Sequence, residues 1–293
     1  MVFPNPTWFV GCGNMAGALV QGWRSADVDL SGAVAIRPSG KPVDGIRAVS
    51  SIAEAAGPST GVVTITSSSG GGGPRLVILG FKPQQLGEVA PKLASWVTSR
   101  TTIVSLLAGV EAATLRQLFP NAGAIVRALP NLPVSVRRGV VALYSDGADE
   151  GTRDLLSQLF APLGFALWAN SEASLAAVGS VAGAGPAYVA RFISALAKAG
   201  IAEGLSEELA RTVALETVLG TAWMAASNYD SMDAIVGRVA SPNGTTEAGL
   251  KVLDTDDVFD KLVALAIAAA ARRGAELAEE ARAPKLAGEP SLS

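Results

Sequence analysis

Five short apolar runs alternate with helical patterns in the first half of the chain: Trp8-Phe9-Val10, Ala33-Val34-Ala35-Ile36, Leu76-Val77-Ile78-Leu79, Thr102-Ile103-Val104 and Ala124-Ile125-Val126. Each run is too short for a helix, and enough chain separates it from the next for a crossover. Strands connected this way pair in parallel, so an α/β, doubly wound, mainly parallel sheet is expected. Residues 140–144 and 165–168 read as later edge strands flanking a helix around 152–163. From about 170 the strand signal disappears, and Ala-, Leu- and Glu-rich helical segments take over at 186–203, 206–227 and 258–280. Their apolar residues run around much of each segment, the pattern of helices buried on more than one side. An all-α domain of this size cannot bury that surface alone, so a homodimer with interlocked helices is expected. The organisation read from the chain is therefore a doubly wound α/β domain at 1–169, a helical domain at 170–281 and a disordered tail at 282–293.

The first strand runs directly into Gly11-Cys12-Gly13-Asn14-Met15-Ala16, a G-x-G-x-x-A turn that opens a helix over 16–23. Gly11 permits the tight turn, Gly13 lets backbone approach a pyrophosphate, and small Ala16 lets the helix pack against the sheet. Asn14 and Met15 complete the helix N-terminus, where N–H groups face an anion. The second strand ends Ile36-Arg37-Pro38-Ser39-Gly40-Lys41, with no carboxylate to accept from a ribose 2′-hydroxyl. Arg37 and Lys41 as cations and Ser39 as a donor favour a 2′-phosphate, so NADPH is the expected cofactor, with NADH possible. Ligands of such sheets bind beyond the carboxyl ends of the strands. Lys82 and Pro83 after the third main strand, Ala108 and Gly109 after the next, and Asn131 after the next are accordingly cofactor-binding candidates. Lys82 is placed to reach phosphate or ribose, and Asn131 to bond the nicotinamide amide or the substrate edge.

Far from this turn, Ser241-Pro242-Asn243-Gly244-Thr245-Thr246-Glu247 sets glycine and hydroxyls before a helix. Backbone N–H groups at a helix start, with two threonine hydroxyls beside them, hold a small carboxylate without a buried lysine or arginine. Composition narrows the chemistry further. The chain has no histidine and one cysteine, Cys12, which excludes histidine bases, cysteine–histidine dyads and an internal disulfide; no cluster with metal-ligand spacing is present. A net charge of -3 with dispersed Lys and Arg argues against nucleic acid. The apolar run at 262–271 is about half the roughly 20 residues a membrane span requires, and no basic segment precedes the first apolar residues, so a cytoplasmic protein without membrane attachment is expected. The four glycines at 70–73 read as a surface loop.

Taken in order, Gly11–Ala16, Lys82-Pro83-Gln84, Ser105 with Ala108-Gly109, Arg127 with Pro130-Asn131 and Pro133, Gly185-Pro186-Ala187-Tyr188 and Ser241–Thr246 resemble the pyrroline-5-carboxylate reductase family. The resemblance runs from Phe9 to about Leu277, and the 241–246 run is its most specific part. It implies an N-terminal Rossmann domain, a C-terminal helical dimerisation domain, rings of dimers, and reduction of 1-pyrroline-5-carboxylate to L-proline by NAD(P)H. It also implies that Ser241, Asn243, Gly244, Thr245 and Thr246 bind the substrate, with Thr246 facing the ring nitrogen as the catalytic residue. The chain departs from the family pattern at Ala182-Gly183-Ala184, where hydroxyls are usual, at Leu129 and Leu132, and at Asn243 in place of glycine. These changes make the substrate region more apolar and leave two alternatives: a reductase of a related cyclic imine, or a catalytically silent NADP-binding regulator. A β-hydroxyacid dehydrogenase is disfavoured because Val189 stands where its catalytic lysine would follow a G-x-G turn.

Overall fold

The first unit is built on eight strands: β1 (Thr7–Val10), β2 (Ala33–Ile36), β3 (Arg47–Val49), β4 (Leu76–Leu79), β5 (Thr102–Ser105), β6 (Ala124–Pro130), β7 (Gly139–Tyr144) and β8 (Gly164–Trp168). They form one sheet in the order β3-β2-β1-β4-β5-β6-β7-β8. Every neighbouring pair is parallel except β6–β7. These elements come from a computed structural model that describes residues 3–57 and 73–282. Residues 70–72 of the glycine run, expected as a surface loop, and the tail at 283–293 lie outside the described residues.

The short apolar runs form strands because both faces of the sheet are covered. β1 sends Phe9 into one core with Leu19, Trp23, Ile78 and Phe160. Its neighbour Trp8 enters a second core with Val77, Leu93, Ile103 and Phe119. The covering helices of this unit are α1 (Asn14–Arg24), α2 (Ile52–Ala56), α3 (Leu86–Ala94), α4 (Ala112–Leu118), α5 (Glu150–Phe160) and α6 (Glu172–Ala182). Trp23 of α1 is fully buried, and its Nε1 donates to the Leu159 carbonyl at 2.6 Å, so the indole is both packed and satisfied.

Two sequence expectations change. Residues 140–144 do not form an edge: β7 lies between β6 and β8, and the opposite edge is β3, whose three residues carry no apolar run. The compact units divide after Gly183, not after 169, and residues from Ala271 onward return to the first unit. α6 stays with the sheet because Leu175 packs on Ala142 and Ala169.

The second unit holds α7 (Gly185–Ala202), α8 (Glu207–Asn228), α9 (Met232–Val239), α10 (Thr245–Asp254) and the first part of α11 (Val258–Arg282). α7 and α8 pack through Ile193, Ala197, Ala210 and Ala214. Most of the large side chains here stay outside: Leu209, Leu219, Leu262 and Leu265 are half to two-thirds exposed in the single chain. Among the described residues one stretch, 172–202, is long and apolar enough by length and composition to cross a membrane. It is not one helix, since α6 and α7 are separate elements of 11 and 18 residues, and Arg191 and Lys198 lie within the second.

Candidate active site

β1 leaves the sheet between β2 and β4, where the direction of strand succession reverses, and such switch points open a crevice for ligands. Gly11 sits there with φ +75°, and a β-carbon on it would come within 2.8–3.0 Å of Phe81 and Gly80. A side chain on Gly80 would in turn press on Gly11 and on Ala16, so the turn closes only with small residues. Gly13 differs, because nothing lies nearer than 3.9 Å to the position of its missing side chain. The backbone is therefore open at the head of α1, whose first turn carries no acidic residue and whose N-cap makes no side-chain hydrogen bond. Unsatisfied N–H groups with the helix dipole behind them form a cradle for phosphate. Asn14 is exposed beside it, Met15 half-buried, and Ala16 buried against the sheet.

Arg37 follows β2, and its guanidinium donates to the carbonyls of Lys41 and Pro42 at 3.2 and 3.3 Å. Ser39 is exposed, and its hydroxyl accepts the Lys41 N–H. Burial pushes the Cys12 thiol above its usual pKa, while the Arg37 charge pulls the other way, so Arg37 lies within electrostatic reach of the Gly11–Gly13 turn. The buried, protonated Cys12 serves as a small filler.

Lys82 is exposed, with its N–H donating to Gln85 Oε1. Pro83 and Ala108 line one cavity of about 600 Å³ with Gly87, Thr114 and Leu277. Gly109 has a structural reason for being glycine: φ is +75°, and a β-carbon would meet the backbone of Leu277 and Ala278 at 2.8–3.0 Å. Asn131 is turned inward and only 7% exposed. Its side-chain oxygen accepts the Val140 N–H at 2.8 Å, and its nitrogen donates to the Ala182 carbonyl at 3.1 Å. Gly11, Ala16, Gly80 and the start of the Lys82 turn are thus brought together, with Arg37 beside them. Gly109 and Asn131 are engaged with α11 and α6 instead.

In the second unit, Asn243 adopts the left-handed conformation with φ 58°, the one backbone state in which asparagine substitutes well for glycine. Gly244 caps α10, and a β-carbon on it would collide with Ser241 Oγ at 2.4 Å. Glu247, which the sequence reading gave no role, accepts the Asn243 N–H and pairs with Lys251 at 3.0 Å. First the Lys251 ammonium and then the Asn243 N–H hold its carboxyl below the usual range. Its signal in the sequence is an acidic residue in the first turn of a helix. Ser241 and Thr245 are exposed and Thr246 half-buried at the head of α10. Among the described residues no group of three or more acidic or cysteine side chains is positioned to hold a metal.

A glycine-turn cradle at the switch point of a doubly wound sheet, followed by a helical unit, defines a Rossmann-type nucleotide-binding protein. A family model described as pyrroline-5-carboxylate reductase dimerisation matches residues 172–277. A pyrroline-5-carboxylate reductase of Pseudomonas aeruginosa is 35% identical over 277 residues, 93% of this chain and 96% of that protein. Its counterpart in Synechocystis is 36% identical over 206 residues, 70% of this chain and 76% of that protein. The structure of a pyrroline-5-carboxylate reductase from Coxiella burnetii superposes with a TM-score of 0.79 at 28% identity, covering 94% of this chain and 99% of that one. The fold is shared as well with a Plasmodium falciparum pyrroline carboxylate reductase with NADP bound, at TM-score 0.78, 24% identity and coverage of 94% and 98%. The chain belongs to the pyrroline-5-carboxylate reductase family.

Proposed function

We propose that this protein reduces 1-pyrroline-5-carboxylate to L-proline with NADPH as the reductant. The observation that carries the reading is the 35% identity to a pyrroline-5-carboxylate reductase across 93% of the chain, a span that takes in both units. The chemistry suits a chain without histidine. A protonated cyclic imine already carries the charge that makes its carbon electrophilic, so positioning and exclusion of water do most of the catalysis.

The open backbone at Gly13 and the bare head of α1 fit a pyrophosphate, and Arg37 with Ser39 fits a 2′-phosphate. Lys82, Pro83 and Ala108 extend this set. When bound, the nicotinamide supplies a hydride. The 241–247 turn supplies the substrate contacts: Ser241, Gly244 and Thr245 grip the carboxylate, Asn243 sets the turn, and Thr246 bonds the ring nitrogen. The half to two-thirds exposure of Leu209, Leu219, Leu262 and Leu265 supports a homodimer through the second unit, and rings of such dimers are the extended form. A cytoplasmic enzyme acting on a small soluble acid completes the reading.

The test is a substrate panel with purified protein and NADPH, comparing five- and six-membered cyclic imine carboxylates, repeated with Thr246→Ala. The five-membered substrate is expected to be preferred, and Thr246→Ala to lose about 10–100-fold in kcat/KM, the range for one hydrogen bond to a charged group. Preference for the six-membered ring overturns the substrate assignment. Wild-type kcat/KM in Thr246→Ala overturns the role of Thr246.

A further inference from the structure

Arg127, Leu129 and Asn131 lie two apart along β6 and its extended continuation, so they project to one side of the strand. All three meet α6. The Arg127 guanidinium pairs with Glu172, the first residue of the helix, and the second Glu172 oxygen accepts the Ala112 N–H at the head of α4 at 2.9 Å. Leu129 packs where a β-carbon on Gly179 would lie 2.9 Å from its Cδ1. Asn131 donates to the carbonyl of Ala182, the last residue of α6, a group that helix geometry leaves without a partner of its own. Immediately after this contact the first unit ends at Gly183, and the chain continues through Ala184 and Gly185.

We propose that Asn131 is a positioning residue, the last point of a three-point clasp of β6 on α6 that fixes where the chain leaves the first unit. It supports hydride transfer through that placement and not by touching the cofactor, an inference that rests on the reductase reading above. The side chain is 7% exposed and uses both its oxygen and its nitrogen on backbone groups. Turning it toward a ligand would take from the half-buried Val140 N–H and Ala182 carbonyl the partner each now has, at the cost of two hydrogen bonds at once.

The experiment uses the full chain with Asn131→Ala and Asn131→Asp. NADPH Kd is read by fluorescence, kcat and KM by turnover of pyrroline-5-carboxylate, and amide hydrogen exchange over residues 179–186. Expected are a kcat at least tenfold lower, an NADPH Kd within twofold of wild type, and faster exchange over 179–186; in Asn131→Asp the Val140 amide stays protected. A tenfold weaker NADPH Kd with unchanged exchange marks Asn131 as a direct ligand and overturns the proposal, as does a variant indistinguishable from wild type. If Asn131→Ala fails to fold, Glu172→Ala at the other end of the clasp is expected to loosen the same segment, and unchanged exchange and kcat there overturn it too. Should the wild type reduce no imine, the reductase reading falls, and the clasp is judged by exchange and NADPH Kd alone.

Discussion

Arg37 is where cofactor choice becomes testable at the scale of one side chain. It sits at the end of β2 on the carbonyls of Lys41 and Pro42, with no carboxylate in the 37–41 turn to compete for a ribose hydroxyl. Arg37→Ala is expected to raise the KM for NADPH about tenfold, the value of one charge-assisted contact, and to leave the KM for NADH within twofold. Steady-state kinetics with both cofactors decides this. Glu247 gives a pH dependence. Its carboxyl is held below the usual range by Lys251 and the Asn243 N–H, so the charged form is favoured in the folded state. The Glu247–Asn243 bond is therefore fully present above the ordinary carboxylate pKa of about 4.3. It is lost as pH falls through the lower folded-state value. An NMR titration of the Asn243 amide should show its shift changing below that pH, and the change should vanish in Glu247→Gln.

Central strands buried on both faces carry the plainest signal in the sequence. β1 and β4 are four-residue strands with every position buried and, Thr7 apart, every position apolar, whereas β3 is three residues at an edge with Arg47 exposed, and nothing in its composition marks it as a strand. The docking of α6 on the sheet leaves no local trace, because its partners lie far away: Glu172 meets Arg127 at a separation of 45 residues and Ala112 at 60. The glycine turn was legible because only glycine meets the demands at Gly11, while the inward engagement of Asn131 depends on Val140 and Ala182 and leaves no local trace. Gly109 shows the same limit, since its partner is the backbone of α11 near Leu277. Gly109→Ala combines a positive φ with a backbone clash, so it should destabilise the first unit by about 2 kcal/mol or more. A thermal melt lower by several degrees, with the fold retained by circular dichroism, is the expected result.

The whole molecule divides its buried apolar surface unevenly. The first unit covers its sheet with two continuous cores, while the second buries mainly small residues such as Ala197, Ala210 and Ala214 and leaves its leucines outside. A helical unit of that kind completes its core against a second copy. Leu219→Glu with Leu262→Glu is expected to convert dimer to monomer in sedimentation velocity, with loss of activity. A double variant that stays dimeric removes these leucines from the interface.

The most direct measurement of the central claim is the stoichiometry of the reaction itself. Purified protein is mixed with NADPH and racemic 1-pyrroline-5-carboxylate, absorbance loss is followed, and L-proline is quantified in the same sample. One L-proline formed for each NADPH consumed is the predicted result; NADPH that binds without being oxidised, or is oxidised without proline appearing, contradicts the account.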